Sequence, residues 1–309
     1  MAFNYNPGIQ LDRKLFEECD AAITKNNKEL NFDGLGNNFT QVIFALSKLV
    51  DLLHSNKVTI KSWMKTAEPL LIKLCLHSSS IKQLIIPVPL FKKENDDILS
   101  VYDLSSILVL SRAQLECYLT LYYFIFAPSS NDEGEFKHLL YQLSGLCNRQ
   151  NYSSTLPENI AKKDAEAIEI LSLRQKIANN EWYQNLIPEY KKKVDKNNPP
   201  ARLVGWEDII KSSRIKEQYF VSPWKWYSNY AHSEFIGTMQ LGNYLLDGME
   251  MKKIMYHNME FNTMILCAAI IELLNLFPEL IDSYEQSVSM KDRTYICYWS
   301  RGTLKKGLN

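Results

Sequence analysis

An all-α fold, a multi-helix bundle with a long buried central helix and an inserted helical hairpin, is what this chain of 309 residues predicts. Three observations lead there. Apolar residues recur at three- and four-residue spacing over long stretches, as in Val42, Leu46, Leu49 and Leu53, or Leu70, Leu71 and Leu74. Strand-like alternation is scarce. The run from Leu104 to Ala127 is almost wholly apolar yet carries Arg112, Gln114 and Glu116 at its middle. Each charge there would cost about 2.5–3.5 kcal/mol in a bilayer, so the run predicts the buried helix of a bundle rather than a membrane span.

Taken in order, periodicity predicts helices near 11–27, 38–54 and 58–77. The two prolines of the segment Ile85 to Pro89 break the pattern, and a charged loop from Lys92 to Asp97 follows. The central helix begins at Asp103, a residue type that caps helix N-termini, and stops at Ala127 and Pro128 before an acidic linker from Asn131 to Glu135. A short helix is expected over 136–147. A longer one runs from Pro157 to Asn179, with Ile160, Ile168, Leu171 and Ile177 along one side. The basic stretch from Tyr190 to Pro200 predicts an exposed loop, its lysines a solvated face. Ser222 and Pro223 supply an N-cap and first-turn pair for a helix through His232, and a last long helix spans roughly Glu250 to Phe277 before Pro278. A short amphipathic helix follows to about Val288. The expected organisation is one helical domain over 1–289, with 136–200 as a possible insertion. A tail over 290–309 completes it, its aromatic residues Tyr295, Tyr298 and Trp299 docked and its basic end, Arg301, Lys305 and Lys306, mobile.

Composition narrows the function classes. Lys plus Arg and Asp plus Glu number 35 each, which removes any whole-chain argument for electrostatic capture of nucleic acid or anionic lipid, while a local basic patch stays open. The first residues show no secretory signal, so a cytoplasmic location is expected. Six scattered cysteines without a C-x-x-C spacing predict free core thiols. No Gly-rich phosphate loop and no G-x-S-x-G elbow occurs, which argues against a P-loop nucleotidase and an α/β-hydrolase. Glu135-x-x-His138 has half of a di-iron spacing but no second half, and His54, His77 and His257 show no ligand spacing; neither metal nor cofactor is expected.

Two groups of residues carry the candidate chemistry. On an ideal helix Ser105, Arg112, Glu116 and Tyr123 project within about 40° of one another as a polar seam, flanked by Val109 and Leu119 and so aimed at protein. A buried guanidinium needs partners, and Glu272, alone among apolar residues of a later helix, is the expected one for Arg112. The second group is the aromatic run from Trp224 to Ser233. In a helix opened by Pro223, Lys225, Ser228 and His232 share one side, with Trp224, Tyr227 and Ala231 as an adjacent apolar stripe. Histidine is the side-chain type that commonly exchanges protons near neutrality, so His232 is the candidate acid or base. The alternative is a satisfied structural histidine among core aromatics.

Through Asp103, Ser106, Ile107, Leu110, Arg112 and Glu116, and later Tyr227, Ser228, Tyr230 and His232, the chain resembles a bacterial family of helical proteins of unknown function. The likeness spans about residues 40–280 and implies an all-helical bundle with a shared polar centre. More distantly, the chain is similar to the HEPN superfamily, whose active members are often dimeric ribonucleases of toxin and phage-defence systems. Their R-x(4–6)-H motif is missing, since Arg214, the nearest arginine before His232, lies eighteen positions upstream. A fold that brought Arg112 beside His232 would replace it in space. Two readings follow. One is a defence-type effector acting on RNA or another phosphate-containing substrate. In it His232 is acid/base, with a carboxylate such as Glu116 holding its other nitrogen as orienter, Arg112 is the phosphate clamp, and Lys225, Tyr227, Ser228 and Tyr230 contact substrate. The other is a non-enzymatic interaction module that binds a partner protein around a structural polar core. The resemblance also implies a possible homodimer, and no membrane partner is expected.

Overall fold

The computed structural model describes residues 13–55, 58–92, 98–246 and 248–305. The expected loop at 93–97, the extreme N-terminus and Lys306 lie outside them. The described chain is all-α, with fourteen α-helices and one small hairpin. In order come α1 (Arg13–Glu29), α2 (Phe32–His54), α3 (Ala67–Leu84), β1 (Val88–Lys92), β2 (Ile98–Val101) and α4 (Leu104–Leu121). Next are α5 (Asn131–Gln150), α6 (Pro157–Ala178), α7 (Glu181–Gln184), α8 (Pro188–Val194) and α9 (Trp206–Ser212). Last come α10 (Val221–Ala231), α11 (Phe235–Leu246), α12 (Gly248–Leu276), α13 (Ile281–Ser287) and α14 (Met290–Thr303).

The chain divides into two compact units. One takes Met1–Thr59, Glu68–Leu121 and Ile210–Asn309; the other takes Ile60–Ala67 and Tyr122–Ile209, a wider segment than the 136–200 insertion expected. In the first unit the core is built around α12, which packs against α2, α4 and α14. By length and composition α12 could cross a membrane, but 83% of its most apolar window is buried inside the protein. From Asn258 to Leu274 it is buried almost all round because it has helical neighbours on several sides, the pattern of a core helix. The C-terminal residues read as a tail form α14, a helix against α12 and α1 with Tyr295, Ile296 and Cys297 buried.

In the second unit, Phe136, Leu139, Leu140, Leu143 and Cys147 of α5 pack on Leu173 and Ile177 of α6, with Val194 and Leu203 closing the cluster. Gly134 is required there: a Cβ at this position would lie 2.5 Å from the Trp63 ring. The stripe expected along α6 is corrected. Ile160, Ile168 and Leu171 are exposed, and the buried side carries Glu166, Leu173 and Ile177. Glu166 is held by Arg149, whose Nε donates to its Oε2 at 2.8 Å, so this buried carboxylate is paired.

Several local expectations are also corrected. Residues 131–135 are the first turns of α5 rather than a linker, because Ser130 caps the helix by accepting from Glu133 N–H at 3.1 Å. Part of the basic loop is α8, opened by Pro188 in its first turn. The helix expected over 58–77 starts later, as a 3-10 turn at Ser62–Met64 followed by α3. The segment with two prolines leads into an antiparallel hairpin whose register shifts between Pro89 and Phe91, where a proline cannot donate to the ladder. All six cysteines are free, four of them buried.

Candidate functional site

Helix α4 starts where its sequence says it should. Asp103 accepts from Ser106 N–H at 3.0 Å, satisfying one of the first-turn amides. From this start, Leu104, Ile107, Leu108, Ser111, Gln114, Leu115 and Tyr118 are buried, while Arg112 and Glu116 sit one turn apart at the edge of that face. Their side chains are 18% and 26% exposed, and Arg112 Nε donates to Glu116 Oε1 at 3.0 Å.

The facing element is α10, which packs against α4. It begins at Val221, so Ser222 and Pro223 occupy its first turn and Phe220 stands at the N-cap position; Ser222 makes no cap. Proline costs nothing there because first-turn amides lack intrahelical partners. One turn in, Trp224 Nε1 donates to the same Glu116 Oε1 at 3.1 Å, and its ring centroid lies 6.0 Å from Arg112 Cζ. The carboxylate thus holds both the guanidinium and the indole.

His232 is the C-cap of α10, its N–H bonded to Ser228 O at 3.0 Å. Ser233 then adopts φ 52, and Glu234 N–H returns to Asn229 O at 2.8 Å, which turns the chain sharply into α11. The close return requires Gly237, where a Cβ would lie 2.9 Å from Asn229 O. Gln240 of α11 fastens the turn, accepting from Trp226 Nε1 at 3.0 Å and from the Tyr230 hydroxyl at 3.2 Å. This turn carries His232 to the surface, exposed, with Nε2 3.1 Å from Arg112 Nη1. A guanidinium has only donors, so the contact is a hydrogen bond in the tautomer with its proton on Nδ1, leaving Nε2 as acceptor.

Arg112, Glu116 and His232 are therefore brought together across 120 residues of sequence. Other expectations are not met. Glu272 does not serve Arg112: its Oε2 pairs with Arg214 Nη1 at 3.2 Å. Tyr123 leaves the seam because it falls in a π-helical turn, Tyr122–Phe126, that shifts the angular register, and its hydroxyl accepts from Leu203 N–H at 3.4 Å. Val109 does not screen the seam, being 38% exposed. Of the expected substrate contacts, Lys225 is exposed. Ser228 donates to Trp224 O at 2.9 Å, while Tyr227 and Tyr230 are buried.

Beneath the pair runs a buried polar network that sequence reasoning missed. Ser111 Oγ lies 2.6 Å from Asn258 Oδ1, Asn258 Nδ2 donates to the Tyr227 hydroxyl at 2.9 Å, and Asn262 Nδ2 donates to Ser111 Oγ at 2.8 Å. Burial pushes the Tyr227 hydroxyl well above the usual phenol range, against the opposing Asn258 bond. The network ties α4, α10 and α12 directly behind Arg112 and one turn from Trp224. Its sequence signal is two asparagines at i and i+4 inside the mostly apolar stretch from Met251 to Leu274. Neutral donors and acceptors fit a buried junction because they can satisfy one another without the desolvation cost of charge.

Among the described residues, no group of three or more His, Cys, Asp and Glu could hold a metal ion. Compared with protein-family models, with curated proteins and with solved structures, the chain matches none.

Proposed function

We propose that the protein is a HEPN-like effector of bacterial defence or toxin type, a metal-independent ribonuclease acting on cytoplasmic RNA through Arg112 and His232. The observation that carries the reading is an exposed imidazole whose Nε2 lies 3.1 Å from a guanidinium held from behind by a carboxylate. A phosphate oxygen is a stronger acceptor for Arg112 Nη1 than a neutral imidazole is. Its arrival transfers that bond to the substrate and frees Nε2. Glu116 keeps the guanidinium oriented through Nε, and Trp224 keeps Glu116 oriented. The freed Nε2 accepts the proton of the ribose 2′-hydroxyl as the 2′-oxygen attacks phosphorus. The bond from phosphorus to the 5′-oxygen breaks, and that oxygen takes back a proton from the imidazolium. The products are a 2′,3′-cyclic phosphate and a 5′-hydroxyl.

The test is a labelled single-stranded RNA and the same sequence as DNA, each incubated with purified protein in the presence of a chelator. RNA is expected to be cut to cyclic-phosphate ends and DNA to survive, because DNA lacks the 2′-hydroxyl. His232→Ala is expected to slow cleavage on the order of a hundredfold or more while its circular dichroism stays that of the wild type. Equal cleavage by the two folded proteins sinks the assignment.

A second reading, a non-enzymatic interaction module that binds a partner protein, draws on Phe235, Ile236 and Met239 of α11. They are 77%, 45% and 45% exposed and begin three residues after His232. Absence of RNA cleavage by both folded proteins selects this reading.

A further inference from the structure

The second unit contains a cavity of about 540 Å³ that the phosphate-directed reading does not use. Its size falls in the range of small-molecule sites, roughly 300–1,000 Å³. One wall is α5, which presents the Tyr141, Gln142, Gly145, Asn148 and Arg149 positions, with Tyr152 just beyond the helix end; Glu169 of α6 and Thr66 contribute from elsewhere.

The chemistry of this lining is selective. Tyr141 and Tyr152 offer aromatic faces, and Tyr141 is already braced by Phe124 at a centroid distance of 4.6 Å. A flat ring stacks on such faces at little entropic cost. Gln142 and Asn148 place their side-chain amides at exposed positions of this wall, and the Thr66 hydroxyl is buried without a hydrogen-bond partner. An unsatisfied buried hydroxyl costs about 1–3 kcal/mol, which a polar ligand atom would relieve. The guanidinium of Arg149 is not a free anion site, because its Nε and Nη2 already face the two oxygens of Glu166. Glu169 then leaves the rim with a carboxylate, which repels phosphate.

We propose that this cavity binds an adenine-type base or nucleoside without a phosphate group. A carboxamide matches the adjacent donor and acceptor on an adenine edge in a bidentate pair, whereas guanine asks for a fork of donors of the arginine kind. Arg149 has that fork, and Glu166 occupies it. The site is independent of Arg112 and His232, so loss of either reading leaves the other standing.

Gly145 supplies the test. A Cβ added there meets nothing within 4 Å, and the position lies in a helix, so Gly145→Leu projects into the cavity without a clash and replaces a poor helix former by a good one. Isothermal titration of the full chain with adenosine is expected to give saturable one-site binding that Gly145→Leu abolishes, with circular dichroism and melting retained. Guanosine is expected to bind at least about tenfold more weakly than adenosine, the lower part of the discrimination a bidentate base pair provides, and adenosine monophosphate more weakly than adenosine because Glu169 repels its phosphate. Should Gly145→Leu fail to fold, Asn148→Leu at an exposed position is expected to weaken adenosine by about tenfold. The proposal is overturned by no saturable adenosine binding up to millimolar concentration. Unchanged binding in the folded variant overturns it equally, as does guanosine or the monophosphate binding as tightly as adenosine.

Discussion

Replacing Asn258 by leucine is expected to destabilise the protein by about 3–5 kcal/mol, read as a fall in the urea midpoint followed by circular dichroism. Leucine keeps the branching of the asparagine side chain but is bulkier, so crowding of about 1–3 kcal/mol adds to the lost polarity. Its amide donates to Tyr227 and its carbonyl accepts from Asn262 at 3.0 Å and from Ser111. Removing it strands the Tyr227 hydroxyl in a site closed to water, since Asn258 is 3% and Tyr227 3% exposed, while the Asn262 amide keeps Ser111 Oγ and the backbone oxygen of residue 258 as acceptors at 2.8 Å each. The stranded hydroxyl costs about 1–3 kcal/mol. Ser111 is partly rescued because it can donate to Ile107 O at 2.7 Å. Tyr227→Phe, which strands only the Asn258 amide, is expected to cost about 1–2 kcal/mol. The two are expected to be non-additive, since the double variant removes both partners of one bond. A cost below about 1 kcal/mol for Asn258→Leu would show that water reaches the junction.

The second large effect is at Glu272. Its side chain is 5% exposed and pairs with Arg214, 24% exposed, at 3.2 Å. Glu272→Ala strands the guanidinium, and about 3 kcal/mol of destabilisation at pH 7 is expected, the low end for a broken buried pair because Arg214 keeps some access to water. Replacing both members by methionine is expected to recover most of that loss, since the desolvation of both charges disappears together. Burial raises the Glu272 pKa above its ordinary value, with Arg214 pulling the other way. A carboxyl whose folded value is raised contributes stability that is fully present below its unfolded value of about 4.3. That contribution is lost as pH rises through the folded value. Wild type is therefore expected to lose stability relative to Glu272→Gln as pH rises above about 4.3, while the glutamine still offers Arg214 an oxygen. Urea titrations of both proteins at several pH values check the sign, and a difference that grows in the opposite direction contradicts the role given to burial.

Much of the local structure was legible in the residues. Asp103 caps α4, Pro278 ends the last long helix, and Arg112 and Glu116 stand one turn apart, because these outcomes depend on neighbours within a turn or two of the chain, whereas the partner expected for Arg112 was Glu272 and not Glu116. The errors have the same origin. The stripe Ile160, Ile168 and Leu171 looked like an inward face, yet which side of α6 is covered depends on α5 and not on α6 itself. Tyr123 counted as part of the seam on an ideal helix, and one π turn removed it.

By itself the sequence determined the all-α class, the positions of most helices and the placing of Arg112 and Glu116 one turn apart on α4, since periodicity, caps and i, i+4 spacing are properties of a single segment. Only the tertiary structure decided that Arg112 meets His232 and that Glu272 serves Arg214. It also decided that Ser111, Asn258, Asn262 and Tyr227 share one buried junction. A charged or polar group takes whichever complementary partner the packing of distant helices brings within about 3 Å, and no pattern along one segment encodes that choice.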